Sequence, residues 1–435
     1  MVIDKDLVAV IGFALMFVLM LLRVPIGVAM GIAGVLGYGV VSGWGPAFAL
    51  LGKVPLSTVT DYKLAVIPMF ILMGSFAAAG GMSRELFNAG SVWFGHLRGG
   101  LAVGSIAACG GFAAINGSSV ATVATMTNVA LPEMRRAGYE PGFAAGVIAA
   151  GGTLGIMIPP SVIFVLYGIM TETDISQLFA AGVLPGLLAM LMYAATIQII
   201  GRLRPQHMPR GVRHGWRARF SALKEIWATA VLFLLVLGGI YGGLFLVDEA
   251  AAVGAIGALV IGLARGRLSR RAIMECLVSS VRVSASIMVI VIGAYLFGYF
   301  LTITQATQQI IAFMAHLPLG AYGVLALIMF GYLILGAIMD ELAMILLTVP
   351  IVFPVILQLG FDPVWFGVII VMAVTLGLVC PPVGMNVFVL NSIARDISLP
   401  RIYAGTMPFI ASDLIRLVVL CAFPAISLWL PRTMG

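Results

Sequence analysis

The sequence predicts an all-α polytopic membrane protein assembled from an inverted repeat, with two re-entrant hairpins and two discontinuous helices. Three observations predict it: the composition, an internal duplication, and paired prolines at equivalent places in two apolar spans. Hydrophobic residues make up 62% of the 435 and charged residues 9%, with a mean hydropathy of +1.14. Polar surface could not cover a soluble core of that make-up. In hydrocarbon every backbone donor and acceptor needs an internal partner, and the long apolar runs lack the alternation of a β-barrel, so the spans are helices.

The opening apolar run, residues 7–22, leads into Arg23 and Pro25 without a small-residue cleavage pattern, and another span follows, so it reads as retained. Residues 1–63 are expected to be scaffold helices. The first repeat, 64–174, begins its distinctive part with a hairpin over 101–131. Its two arms flank the polar tip "INGSS" and are each too short to cross alone, while Arg98 and Arg135 place both ends in the cytoplasm. A broken helix over 143–171 follows, interrupted at Pro159 and Pro160 in "GTLGIMIPPSVIF". Residues 175–281 read as scaffold helices with an arginine-rich cytoplasmic connector at 201–220. The second repeat, 282–400, carries a hairpin over 322–357 with its tip at "LGAIMDELAM", then a broken helix over 364–395 interrupted at Pro381 and Pro382. Residues 401–435 read as a C-terminal helix belonging to the scaffold.

A shift of 222 positions aligns residues 131–176 with 353–398 without a gap and with 13 identities. These include Pro132/Pro354, Gly138/Gly360, Pro141/Pro363, Gly155/Gly377 and both proline pairs, so the matches fall on residues that interrupt helices, where chance identity between leucines cannot explain them. Arg135 and Arg136 precede the first broken span and "TETD", with no basic residue, follows it; in the second copy "QLGFD" precedes, and Arg395 and Arg401 follow. The copies therefore cross in opposite directions, an arrangement common among secondary transporters. The net charge of +7 resides in loops, where it orients the chain, and does not imply nucleic acid.

A helix interrupted in mid-membrane leaves carbonyls of its first half and amides of its second without intrahelical partners. The carbonyl end suits a cation and the amide end an anion. One cation site is expected from the Gly155, Ile158 and Pro160 carbonyls facing the tip oxygens of Asn116, Ser118 or Ser119. The mirrored site is expected from Gly377, Cys380 and Val383 with the tip around Gly336, Met339 and Asp340. Oxygen-only donors favour sodium over a transition metal. Ser118, Ser119, Asp340 and Asn386 are the expected substrate contacts. Prolines that merely kink a span are the competing reading, and two inverted copies, each with its own short hairpin, outweigh it. Asp340 and Glu341 also admit a membrane enzyme or proton relay, although no partner base, HExxH, GxSxG or Walker pattern accompanies them. Cys109, Cys276, Cys380 and Cys421 stand apart without metal spacing and read as apolar fillers. No organic cofactor is expected.

Further stretches carry a family resemblance: "IPMFILMGSFAAAGGM", "NGSSVATVATM", "AAGGTLGIMIPPS", "MDELAMILLTVPI" and "PPVGMNVFV". Together they make the chain resemble the large membrane subunit of the tripartite ATP-independent periplasmic (TRAP) transporters, the DctM-like family, over almost its whole length. The resemblance implies an elevator-type transporter of the bacterial inner membrane that imports an organic acid, such as a dicarboxylate or sialic acid, with sodium. It also implies a periplasmic substrate-binding protein and a small four-helix, DctQ-like membrane subunit as partners. In that family the hairpins and broken helices form the moving domain and hold the sodium, at the positions named above. Asn116 stands where the family more often has serine, and Cys380 where threonine is frequent. The rival reading is a single-component sodium/organic-anion symporter.

Overall fold

The computed structural model describes residues 4–434 except 210, 316 and 317. Every regular element among them is helical. Seven of these helices are long and apolar enough to cross a membrane, eight if Trp216–Glu225 and Trp227–Tyr241, bent by 51°, count as one span.

The interrupted spans form as their chemistry dictates. Helix Pro141–Met157 starts at a Glu140 cap with proline in its first turn, where a missing N–H costs nothing. It ends where Pro159 and Pro160 remove two donors, and resumes as Val162–Thr171 after a Ser161 cap. Its counterpart, Pro363–Val379, starts at an Asp362 cap and resumes as Met385–Ile393 after Gly384. Both proline pairs are joined by cis peptides. The hairpins are Gly100–Asn116 with Ser119–Arg136 and Ala321–Gly336 with Glu341–Gln358. Ser118 caps the return helix of the first and Asp340 that of the second.

The repeat reaches beyond the aligned residues. Pro141–Met157 and Pro363–Val379 are offset by 222 at both ends, and Ile26–Ser42 and Met82–Phe94 find their equivalents in Val247–Ala264 and Ala306–Ala315. Where the first half has Trp44–Val59 and Val66–Ala79, the second has one continuous helix of 35 residues, Arg270–Thr304. The division expected at 281/282 falls inside it. The end of the chain is two helices rather than one, Leu399–Ala422 and Ala425–Arg432, because Pro424 has no N–H to continue the first.

Contacts at the two ends of the broken helices fix their relative direction. At one end Arg135 pairs with Asp396 at 2.9 Å and Arg401 with Glu140 at 2.7 Å. At the other the Tyr167 hydroxyl donates to the Pro363 carbonyl at 2.7 Å. The start of each copy therefore lies beside the end of the other, as antiparallel crossing requires.

The copies also exchange partners. Val162–Thr171 packs on Glu341–Gln358, and Met385–Ile393 on Ser119–Arg136. Ile175–Leu203 and Leu399–Ala422 close around the first halves of the broken helices through a buried polar network. There the Tyr193 hydroxyl donates to Asp413 at 2.7 Å and lies 3.2 Å from Thr153 Oγ1. Arg416 pairs with Asp413 at 2.9 Å and reaches Met372 Sδ at 3.0 Å. Four helices from both repeats meet at this point.

Candidate functional site

The first hairpin tip is seated against the first break. Gly117 adopts a left-handed backbone at φ 64, and a Cβ there would stand 2.8 Å from the Pro160 carbonyl oxygen, so turn and contact both require glycine. The Gly117 carbonyl accepts from Val162 N–H at 3.3 Å, partnering an amide that the break exposes. One turn before the break, a Cβ on Gly155 would lie 2.5 Å from the Ser118 carbonyl oxygen. Ser118, Gly155 and Pro160 are thus drawn together, with Asn116 beside them donating to the Ser118 carbonyl and to Thr122 Oγ1, each at 3.3 Å. The Ile158 side chain packs against Gly186.

At the second break Gly336 and Gly377 meet backbone to backbone, and a Cβ on Gly377 would come within 2.5 Å of the Gly336 α-carbon. Several groups of the expected second site also make hydrogen bonds within the protein. The Gly377 carbonyl accepts from Cys380 N–H at 3.3 Å. The carbonyls of Pro382 and Val383 accept from the Tyr403 hydroxyl, at 2.9 and 2.6 Å. Asp340 Oδ1 accepts from the Leu342 and Ala343 amides, 3.0 Å each. Beside it Glu341 is 7% exposed and its Oε2 has no hydrogen-bond partner among the described residues.

Of the expected substrate contacts, two hold each other. The Ser119 hydroxyl donates to Asn386 Oδ1 at 2.9 Å, Asn386 Nδ2 donates to the Ala149 carbonyl at 3.1 Å, and both side chains are wholly buried. Thr122 and Tyr403 escaped the sequence reading. Thr122 follows the tip by one helical turn, a signal that was present; Tyr403 lies 21 residues beyond Pro382 on another helix and had none.

No three His, Cys, Asp or Glu side chains converge on a possible metal position among the described residues. The donors at the first break are carbonyl, hydroxyl and amide oxygens, a hard set that fits sodium. Two cavities beside the hairpins are related by the repeat. One, of about 990 Å³, is lined by Arg84, Glu85, Thr125, Asn128 and Arg267. The other, of about 280 Å³, is lined by Tyr295, Tyr299, Thr307 and Pro350. Glu85 and Asn128 are 222 positions from Thr307 and Pro350, so the repeat relates the two. The helix ends around them put the larger on the side of Arg135 and Arg401, the cytoplasmic side by loop charge.

The family described as "Tripartite ATP-independent periplasmic transporter, DctM component" matches residues 13–426. The chain is 39% identical over 382 residues to the C4-dicarboxylate TRAP transporter large permease protein DctM of Pseudomonas aeruginosa, covering 87% of this chain and 88% of that one. It is 34% identical over 414 residues to the isethionate TRAP transporter permease protein DctMQ of Oleidesulfovibrio alaskensis, covering 93% of this chain and 64% of that one. Among solved structures the Alcanivorax borkumensis YdaH transporter matches with a TM-score of 0.64, covering 89% of this chain and 90% of that one at 16% identity, a likeness of fold alone.

Proposed function

The chain belongs to the DctM component family of the tripartite ATP-independent periplasmic transporters, and from that membership we propose that it is the large permease of a sodium-coupled, binding-protein-dependent importer of an organic acid, working by an elevator movement. It is a multi-pass protein of the bacterial inner membrane, and its relatives are named as permeases rather than enzymes. The carrying observation is the pair of antiparallel broken helices, each met at its break by a hairpin through glycine contacts too close for any side chain. Sodium is held where the carbonyl end of the first break meets the Ser118 and Asn116 oxygens, and in the mirrored place around Gly336, Gly377 and Asp340. The acid group binds at the amide end, where the dipole favours negative charge. Ordered tips then let the loaded unit move as one body. The unequal, repeat-related cavities support alternating exposure, and the network at Tyr193, Asp413 and Arg416 supports a moving unit that includes Ile175–Leu203 and Leu399–Ala422.

The tripartite description of the family supports a periplasmic binding protein and a small membrane subunit as partners, and so does the name DctMQ, borne by a relative of which this chain spans 64%. Reconstitution tests this. Labelled dicarboxylate or isethionate should enter proteoliposomes only when the small subunit and the loaded binding protein are both supplied. Equal uptake by the chain alone would favour the single-component symporter.

A further inference from the structure

The larger cavity carries charge that the fold does not require. Its wall includes Arg84, Glu85 and Arg265, yet 222 positions on, the first two are Ala306 and Thr307, and the smaller cavity is lined without a single charged side chain. The repeat-related wall of the smaller cavity forms without charge at the positions of Arg84 and Glu85, so the charge is particular to the larger one.

They are also held ready. Glu85, with 7% of its side chain exposed, pairs with both Arg265 and Arg267, and Arg267 donates further to the Gly80 carbonyl at 3.2 Å. Two guanidinium groups braced by one buried carboxylate leave an excess of positive charge in a fixed place. Arg84, the neighbour of Glu85 in the chain, is exposed and forms no ion pair among the described residues. Glu225 also reaches the wall and offsets part of this charge, leaving one net positive charge.

One face of the hairpin's return helix runs from the tip to this cavity. On Ser119–Arg136 the residues Thr122, Val123, Met126 and Thr127 are buried, whereas Ala121, Thr125 and Asn128 are accessible, as is Ser118 at the tip. Steps of three and four residues place the accessible set on one helix face. It forms a track of small and polar side chains from the tip to the cavity, whose wall includes Thr125 and Asn128.

We propose that this cavity is a second anion subsite on the release side, where Arg84, beside the braced pair of Arg265 and Arg267, receives the acid group of the departing substrate. The subsite rests on the transporter reading above. Arginine suits the task because its planar fork pairs with a carboxylate or sulfonate and its charge is permanent. A positive wall in a narrow vestibule also raises the local concentration of the anion at the cytoplasmic face.

The test is flux of labelled dicarboxylate or isethionate, with defined sidedness, in proteoliposomes holding the permease, its small subunit and the binding protein. Wild-type uptake from the periplasmic face is measured first, and if no substrate moves, the transporter reading falls and the subsite with it. With wild-type flux established, Arg84→Gln should raise the half-saturating substrate concentration at the cytoplasmic face several-fold, measured as exchange. Half-saturation at the periplasmic face and sodium dependence should stay as in wild type, and Arg84→Lys should recover part of the loss. An unchanged cytoplasmic value in Arg84→Gln, or equal shifts at both faces, overturns the subsite alone.

Discussion

Ser119 in the first hairpin and Asn386 in the second broken helix, 267 residues apart, are joined by a 2.9 Å hydrogen bond in a fully buried position. The Asn386 amide passes the connection on to the Ala149 carbonyl of the first broken helix at 3.1 Å. Turning Asn386 toward a substrate would strand buried polar groups on two elements. Asn386→Ala should therefore lower stability by about 1–3 kcal/mol, and the double variant with Ser119→Ala should lose less than the sum of the single losses. Denaturation of the purified protein in detergent checks this, and strictly additive losses would show that the pair is not coupled.

The glycine contacts make a second prediction. In Gly377→Ala the new methyl would stand 2.5 Å from the Gly336 α-carbon, and in Gly155→Ala 2.5 Å from the Ser118 carbonyl oxygen. Neither neighbour is the end of a flexible side chain. Overpacking of this kind costs about 1–3 kcal/mol, and relief would part a hairpin from its break, so both variants should lose most uptake. Gly331→Ala, with nothing within 4 Å, is the matched control and should transport normally.

Hydrogen bonding to the Arg135 guanidinium is the main cause that holds the exposed Asp396 carboxyl below its ordinary 3.8. For a depressed carboxylate the pairing is present above the unfolded value and lost as pH falls through the lower folded one. The pair should thus contribute equally at any pH from about 5 to 8. The difference in melting temperature between wild type and Asp396→Asn should stay constant across that range, shrink with added salt, and vanish in strong acid.

Asp413 and Arg416 form an ion pair whose two side chains are each 1% exposed. Removing one charge strands the other, so Asp413→Leu or Arg416→Met alone should cost about 3–5 kcal/mol. The double variant leaves no uncompensated charge and should be more stable than either single one. Chemical denaturation of the three proteins in one detergent decides it.

The breaks and the hairpins were legible because proline and glycine act through the backbone, independently of what surrounds them. Pro159–Pro160 and Pro381–Pro382 end helices because each pair removes two consecutive donors, whereas single prolines such as Pro185 and Pro408 stand inside continuous helices. The wider repeat was not legible: helices such as Ile26–Ser42 and Val247–Ala264 are held only to being apolar, and many sequences meet that demand. Nor was the engagement of Asn386 and Val383 by Ser119 and Tyr403, since hydrogen-bond partners brought together by folding leave no periodicity. The Asp413 and Arg416 pair shows the same limit. Their spacing of three places them on one helix face, but only the fold brings Tyr193 and Met372 to meet them.

The coupling of sodium to acid at the breaks is measured most directly by following labelled sodium and labelled substrate together into proteoliposomes that contain the full set of components. The account predicts that substrate accumulates only down an inward sodium gradient, that sodium enters in fixed proportion to it, and that Gly155→Ala and Gly377→Ala lose most of both movements. Undiminished accumulation with choline in place of sodium would contradict it.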